Sequence, residues 1–264
     1  PPRGDEQVAF AGQAVSAELK VTLLQFTPSP ERAVASAGRL CYAPVSAAEL
    51  KEAMSDDDVR RLVRGLVRSG HMSALEHAVF TFAVDGISRA CSHQLVRHRV
   101  ASYSQQSQRY VRFGSEGGFV MPPRIASSPE ARAVFVEAMD NARRSYERLV
   151  ELGLAEGRGN ESVFEDARFV LPNAAETKIV VSMNARELRH FFSLRCCRRA
   201  QWEINRLAWV MRFLASSVAP LLFEGTGPGC MAGGCPEGKM SCGTPYTEEE
   251  VLSMELARSV TGVG

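Results

Sequence analysis

From Gly86 to Ser115 the chain contains no Asp or Glu, yet Gln94–Arg112 (QLVRHRVASYSQQSQRYVR) carries Arg97, His98, Arg99, Arg109 and Arg112. No carboxylate close in sequence neutralises these cations, so any fold has to accommodate them without help from their neighbours. Ser102, Ser104, Gln105, Gln106, Ser107 and Gln108 lie between the two basic clusters. An arginine fork matches phosphate geometry two bonds at a time. Serine and glutamine add neutral donors and acceptors that read a base edge or a sugar. Together they describe a pocket for a phosphorylated, hydrogen-bond-rich small molecule; the competing reading is a solvated arginine surface. The formal net charge of the 264 residues is only +1, so the basicity is local and speaks for a small anion rather than a nucleic-acid polymer.

The rest of the chain sets bounds. No apolar run approaches the ~18 residues of a membrane span, and no basic-then-apolar leader opens the sequence. Seven cysteines in a long, charged chain predict reduced thiols and a cytoplasmic protein. Residues 1–18 read as a loose tail, 19–225 as one folded domain, and 226–264 as a Gly/Cys-rich extension. Cys230, Cys235 and Cys242 in that extension lack the paired spacing of a zinc site, so no metal is expected.

Taken in order, Lys20–Phe26 predicts a strand and Glu31–Cys41 a helix. Ser55 before Asp56, Asp57 and Asp58 is a strong helix start, and Gly70 a stop. Ser73 and Glu76 have capping-box spacing, which predicts a further short helix. Val79–Val84 predicts a strand ended by Asp85-Gly86. Ser88 caps a helix running to Val96, which delivers Arg97, His98 and Arg99 at its C-terminal end, where the helix dipole also favours cations. The run after Ser102 reads as a loop crossing the pocket. Pro129–Glu156 predicts a long amphipathic helix with Val134 and Leu149 on its apolar path. A helix from Ser162 or Glu165 to Leu171, a strand over Thr177–Met183 and a last helix over Thr247–Arg258 complete the pattern. Asn184 caps a helix that buries Leu188, Phe191, Phe192 and Leu194. Leu188–Trp202 is a second window without acids, and it holds Arg189, Arg195, Arg198 and Arg199.

Arg97-His98-Arg99, seven residues, then Ser107 resembles the RHR-x7-S signature of the flavin-dependent thymidylate synthases. Ser107-Gln108-Arg109-Tyr110, His71-x4-Glu76-His77, Asn184-Ala185-Arg186, Leu194-Arg195-Cys196 and Ala200-Gln201-Trp202-Glu203-Ile204 fit the same family wording. The resemblance runs from about Val21 to about Pro220. It implies an α+β fold, a mostly antiparallel central sheet flanked by helices, assembled as a homotetramer with sites shared between subunits. It implies FAD as cofactor, with NADPH and 5,10-methylenetetrahydrofolate as co-substrates and dUMP as acceptor. Gln94, Arg97, Gln105, Gln106, Ser107, Arg109, Arg168 and Arg195 would bind dUMP. His71, Ser73, Arg97, His98, Arg99, Gln105, Asn184, Arg186 and His190 would hold FAD.

Arg195 would be the catalytic residue, stabilising charge on the uracil ring. Ser107 is a poor nucleophile, because its sequence neighbours are arginines, which cannot accept a proton. Two other classes stay open at this stage. One is a non-enzymatic RNA- or nucleotide-binding domain built on the same loop. The other is a flavin reductase with a different acceptor.

Overall fold

A computed structural model describes residues 18–114, 118–247, 249–251 and 253. The predicted tail and most of the predicted last helix lie outside them. The elements run β1 (Lys20–Phe26), α1 (Pro30–Leu40), α2 (Ala47–Ala53), α3 (Asp56–Arg68) and a 3₁₀ turn (Met72–His77). Then follow β2 (Val79–Ser88), α4 (Arg89–Leu95), β3 (Ala101–Gln105), α5 (Pro123–Ala126), α6 (Pro129–Ala155), α7 (Asn160–Ala167) and a 3₁₀ turn (Arg168–Val170). The chain continues through β4 (Glu176–Asn184), α8 (Ala185–Arg195), α9 (Trp202–Val218) and α10 (Pro220–Phe223). Four strands form one antiparallel sheet in the order β1-β2-β4-β3, with helices at its flanks.

The chain forms two compact units. Of the described residues, one comprises those up to Lys20, Val84–Leu95 and Ser104–Ile179; the other comprises Val21–Ala83, Val96–Tyr103 and those from Val180 onward. In the first unit, Phe113, Phe119, Met139, Tyr146, Val150, Val163 and Phe164 make the core. Tyr146 keeps its hydroxyl satisfied there by accepting from the backbone N–H of Phe113 at 3.0 Å, as a buried phenol requires. Gly153 of α6 allows the close approach of α7: a Cβ there would lie 2.8 Å from Val163. Val134 and Leu149, both on the predicted apolar path of α6, are exposed.

The second unit is built on aromatic packing. The Phe80 ring meets Phe223 edge-on at 5.2 Å, and Phe223 meets Phe192 at 5.8 Å. All three are buried, each ring contributing roughly 1.5–3 kcal/mol by leaving water. Ser55 caps α3 by accepting from Asp58 N–H. Ser46 and Glu49 form a complete capping box on α2, a helix absent from the sequence expectations.

Several expectations are corrected. Gly86 does not end β2; it takes φ 73° within the strand, which runs on to Ser88. A Cβ at Gly86 would sit 2.1 Å from the Glu18 carbonyl oxygen, so only glycine fits. The Ser/Gln run does not begin as a loop: Ala101–Gln105 is β3, and Gln106 N–H still donates to the Lys178 carbonyl at 2.9 Å. The α4 helix stops at Leu95, so Arg97, His98 and Arg99 follow it rather than end it. The capping box at Ser73 and Glu76 is not made; the segment is a 3₁₀ turn without a side-chain cap. The helix expected to reach Leu171 starts at Asn160 and tightens into the 3₁₀ turn at Arg168. Leu194, expected in the core, is 45% exposed.

Candidate active site

The second unit holds every residue of the expected flavin set except Gln105, and it also holds Arg195. Its centre is His98. Asn184 caps α8 by accepting from Glu187 N–H at 2.9 Å, which sets the first turn. Glu187 and Phe191 are spaced one turn apart and both face inward. His98 Nδ1 lies 3.3 Å from Glu187 Oε1, and its ring meets Phe191 edge-on at 4.9 Å. Arg195, at the end of the same helix, donates from Nε to His98 Nε2 at 3.0 Å. The Tyr103 hydroxyl donates to the His98 carbonyl at 2.8 Å. Burial, then the charges of Arg195 and His190, push the His98 pKa down to about 4. Burial pushes the Glu187 carboxyl up, against the pull of His190 and Arg186. A neutral imidazole therefore stands between a carboxyl group and a guanidinium.

Around this centre, His71, Ser73, Arg97, Arg99, Arg186 and His190 are exposed. Arg97 and Arg99 make no ion pair among the described residues. Arg186 pairs with Glu76 at 2.6 Å, both side chains about half exposed, a contact worth ~0–1 kcal/mol that an incoming anion could displace. Asn184 has committed its amide oxygen to the cap and keeps its amide N–H₂ for a ligand. Asn205, on α9, ties down the end of α8 by donating to the carbonyls of Arg195 and Cys197 at 2.9 and 3.0 Å.

The first unit holds Gln94, Gln105, Gln106, Ser107, Arg109 and Arg168 of the expected nucleotide set. Ser107 Oγ accepts from Arg109 N–H at 3.2 Å, a turn that leaves its own hydroxyl hydrogen to donate. Gln106, Ser107, Gln108, Arg112 and Lys178 line a cleft of about 70 Å³.

Two members of the set are occupied. Gln105 donates its amide to Ser92 Oγ and Thr177 Oγ1, both at 3.0 Å. Arg109 is paired with Glu161 at 2.6 Å and Glu165 at 2.5 Å, so carboxylates distant in sequence supply what its neighbours lack. Burial first, and then the charge of Arg168, hold Arg89 below the usual arginine range. An anion would relieve that repulsion between two guanidinium groups.

Glu187 and Arg89 escaped sequence reasoning. The first stands three residues after the Asn184 cap, a position where Glu ordinarily serves only the helix start. The second was one arginine among many. Seven cysteines are free thiols, and no cluster of three or more potential metal ligands occurs among the described residues. No helix among them is long and apolar enough to cross a membrane.

Residues 22–221 match the family model described as thymidylate synthase complementing protein. The flavin-dependent thymidylate synthase of Geobacter sulfurreducens is 56% identical over 226 residues, covering 85% of this chain and 94% of its own. That of Clostridium tetani is 47% identical over 233 residues, covering 85% and 93%. The crystal structure of the UMP/dUMP methylase PolB from Streptomyces cacaoi, bound with 5-Br dUMP, has a TM-score of 0.68 at 26% identity, covering 80% of this chain and 95% of that one.

Proposed function

The chain belongs to the flavin-dependent thymidylate synthase family, and from that premise we propose that it methylates dUMP at C5 to give dTMP, with 5,10-methylenetetrahydrofolate as carbon donor and FAD reduced by NADPH as hydride donor. The observation that carries this reading is the state of the signature: His98 is buried and neutral, while the flanking Arg97 and Arg99 are exposed and free of ion pairs among the described residues. Unneutralised guanidinium forks suit phosphate and diphosphate groups.

The donor set of the second unit fits FAD. Arg97, Arg99 and Arg186 would face its diphosphate, Arg97 also meeting dUMP, and Ser73, His71, His190 and the Asn184 amide would serve its polar edges. When bound, the flavin supplies the hydride chemistry.

The chain's own residues bind, orient and stabilise. Arg195, held through Nε, keeps its two terminal nitrogens for the carbonyls and N3 of uracil, where charge develops. A preorganised donor of this kind contributes on the order of 10²–10³ in rate. Ser107 binds the phosphate or sugar of dUMP as a hydrogen-bond donor. Its partner is a backbone N–H, and no general base hydrogen-bonds it among the described residues, which speaks against a nucleophilic role. Arg168 and Arg89 supply further positive charge for the same nucleotide.

The cleft beside Ser107 is far smaller than the roughly 300–1,000 Å³ of a small-molecule site. Phe169, next to Arg168, is 82% exposed. Both features favour a second copy completing each site, in keeping with the homotetramer that the family resemblance implies. Free thiols suit the reducing cytoplasm.

The test is a purified-protein assay. Absorbance near ~450 nm, a general flavin property, and NADPH oxidation that yields dTMP only with dUMP and the folate present are expected. NADPH oxidation without dTMP, whatever the substrates, would leave a flavin reductase instead.

A further inference from the structure

His98 has both ring nitrogens engaged within its own unit, by Arg195 at 3.0 Å and by Glu187 at 3.3 Å. Arginine nitrogens only donate, so Nε2 is the acceptor and the ring hydrogen resides on Nδ1, aimed at the Glu187 carboxylate. We propose that Glu187, which no motif assigns, is the positioning residue of this site: it holds His98 in the Nδ1–H tautomer so that Nε2 can accept from Arg195 and fix the guanidinium that faces the substrate. This rests on the role given above to Arg195. It gives His98 a role toward Arg195 beside the flavin contact that the family resemblance implies.

The geometry excludes the other states of the ring. An Nε2–H tautomer would set two donors against each other at 3.0 Å and leave the Glu187 oxygen without its hydrogen. An imidazolium would add charge repulsion with Arg195. His98 is 5% and Glu187 8% exposed, so water cannot replace a lost partner at low cost.

Every group facing the ring agrees with this assignment. Phe191 packs edge-on, and His190 stands 6.2 Å away between ring centroids. Tyr103 fixes the backbone carbonyl of His98; burial raises the Glu187 pKa, and His190 and then Arg186 pull it back toward the charged form. The arrangement orients its arginine in two steps. The Asn184 cap places Glu187, and Glu187 selects the tautomer that receives Arg195 Nε–H. Without the tautomer Arg195 is still present, but it rotates freely about its side-chain torsions, and a misplaced donor loses most of its effect on a transition state.

Long-range ¹H–¹⁵N spectra of the full-length protein labelled at histidine nitrogen test the claim directly. At pH 7 His98 is expected to be neutral and protonated on Nδ1. Glu187→Gln offers an amide oxygen as acceptor and keeps that tautomer. Glu187→Leu loses it and lowers turnover at saturating dUMP by about 10- to 100-fold, the range seen when an orienting partner of a site residue is removed, with flavin content within about twofold of wild type. Most of the turnover returns in Glu187→Gln.

An Nε2–H tautomer or an imidazolium in the wild type at pH 7 overturns the proposal. So does wild-type turnover in a Glu187→Leu protein whose tautomer has changed. Should Glu187→Leu fail to fold, the wild-type spectrum and Glu187→Gln decide: loss of the Nδ1–H tautomer in Glu187→Gln counts against it. A protein that makes no dTMP would defeat the thymidylate synthase reading, yet its spectrum would still report the tautomer, so the two failures are distinct.

Discussion

Glu165 brings a carboxylate oxygen to 2.5 Å from Arg109 Nε, and Glu161 approaches the same guanidinium at 2.6 Å. The charge of Arg109 is thus largely neutralised within the chain, unlike that of Arg97. Arg109→Ala is therefore expected to raise the dUMP KM less than Arg97→Ala does. Steady-state kinetics of the two variants decide the point, and the reverse order would show that the carboxylates release Arg109 when the nucleotide arrives.

Ser107 accepts from the Arg109 N–H and has no base within hydrogen-bond reach among the described residues. Ser107→Ala should raise the dUMP KM by about 10-fold, the cost of one hydrogen bond of 1–1.5 kcal/mol, with measurable turnover at saturating dUMP. Abolished turnover with intact flavin and nucleotide binding would restore the serine as nucleophile.

Arg195→Ala removes the preorganised guanidinium but none of the exposed flavin donors. Turnover should fall on the order of 10²–10³-fold with the flavin spectrum retained. A variant that keeps near-wild-type turnover would remove Arg195 from the mechanism.

The pKa of His98 is depressed in the folded protein, from 6.5 to about 4. Unfolded chains then bind more protons than folded ones between those values, so stability is full above pH 6.5 and is lost as pH falls toward 4. The raised pKa of Glu187 acts in the opposite sense, with stability lost as pH rises through its folded value. Denaturant midpoints at pH 7.0, 5.5 and 4.5 for wild type and His98→Gln should show the stability difference between them shrinking as pH falls. A constant difference would mean that His98 does not titrate within this window.

Tyr246 lies over Arg198 at 3.8 Å and meets the Trp209 ring edge-on at 5.2 Å, while Arg198 pairs with Glu250. These contacts fasten part of the Gly/Cys-rich extension to the turn after α8. Tyr246→Ala should release it at a cost of about 1–3 kcal/mol. Hydrogen exchange is expected to accelerate across residues 238–247 while the α6 core keeps its protection. Unchanged exchange in the extension would show that other contacts hold it.

Local chemistry made much of this molecule legible before its fold was known. Ser55 and Asn184 announced their helices because a cap is a contact within four residues, Lys20–Phe26 declared itself as a short apolar run, and the long helix from Pro129 through its period. The RHR-x7-S spacing, Asn184-Ala185-Arg186 and Arg195 pointed to the family for the same reason: the information lies in residue identity and order.

Partnership across long sequence separations lay outside that reach. Whether Arg109 is free or doubly paired depends on α7, more than fifty residues on. That His98 is buried between a carboxyl group and a guanidinium depends on Glu187 and Arg195, nearly a hundred residues away. Residue order set which cations and hydroxyls the chain carries; only the packing of α7 beside Arg109 and of α8 over the His98 segment determined which of them are paired, because burial and distance, not identity, set the protonation and the free valences of a side chain.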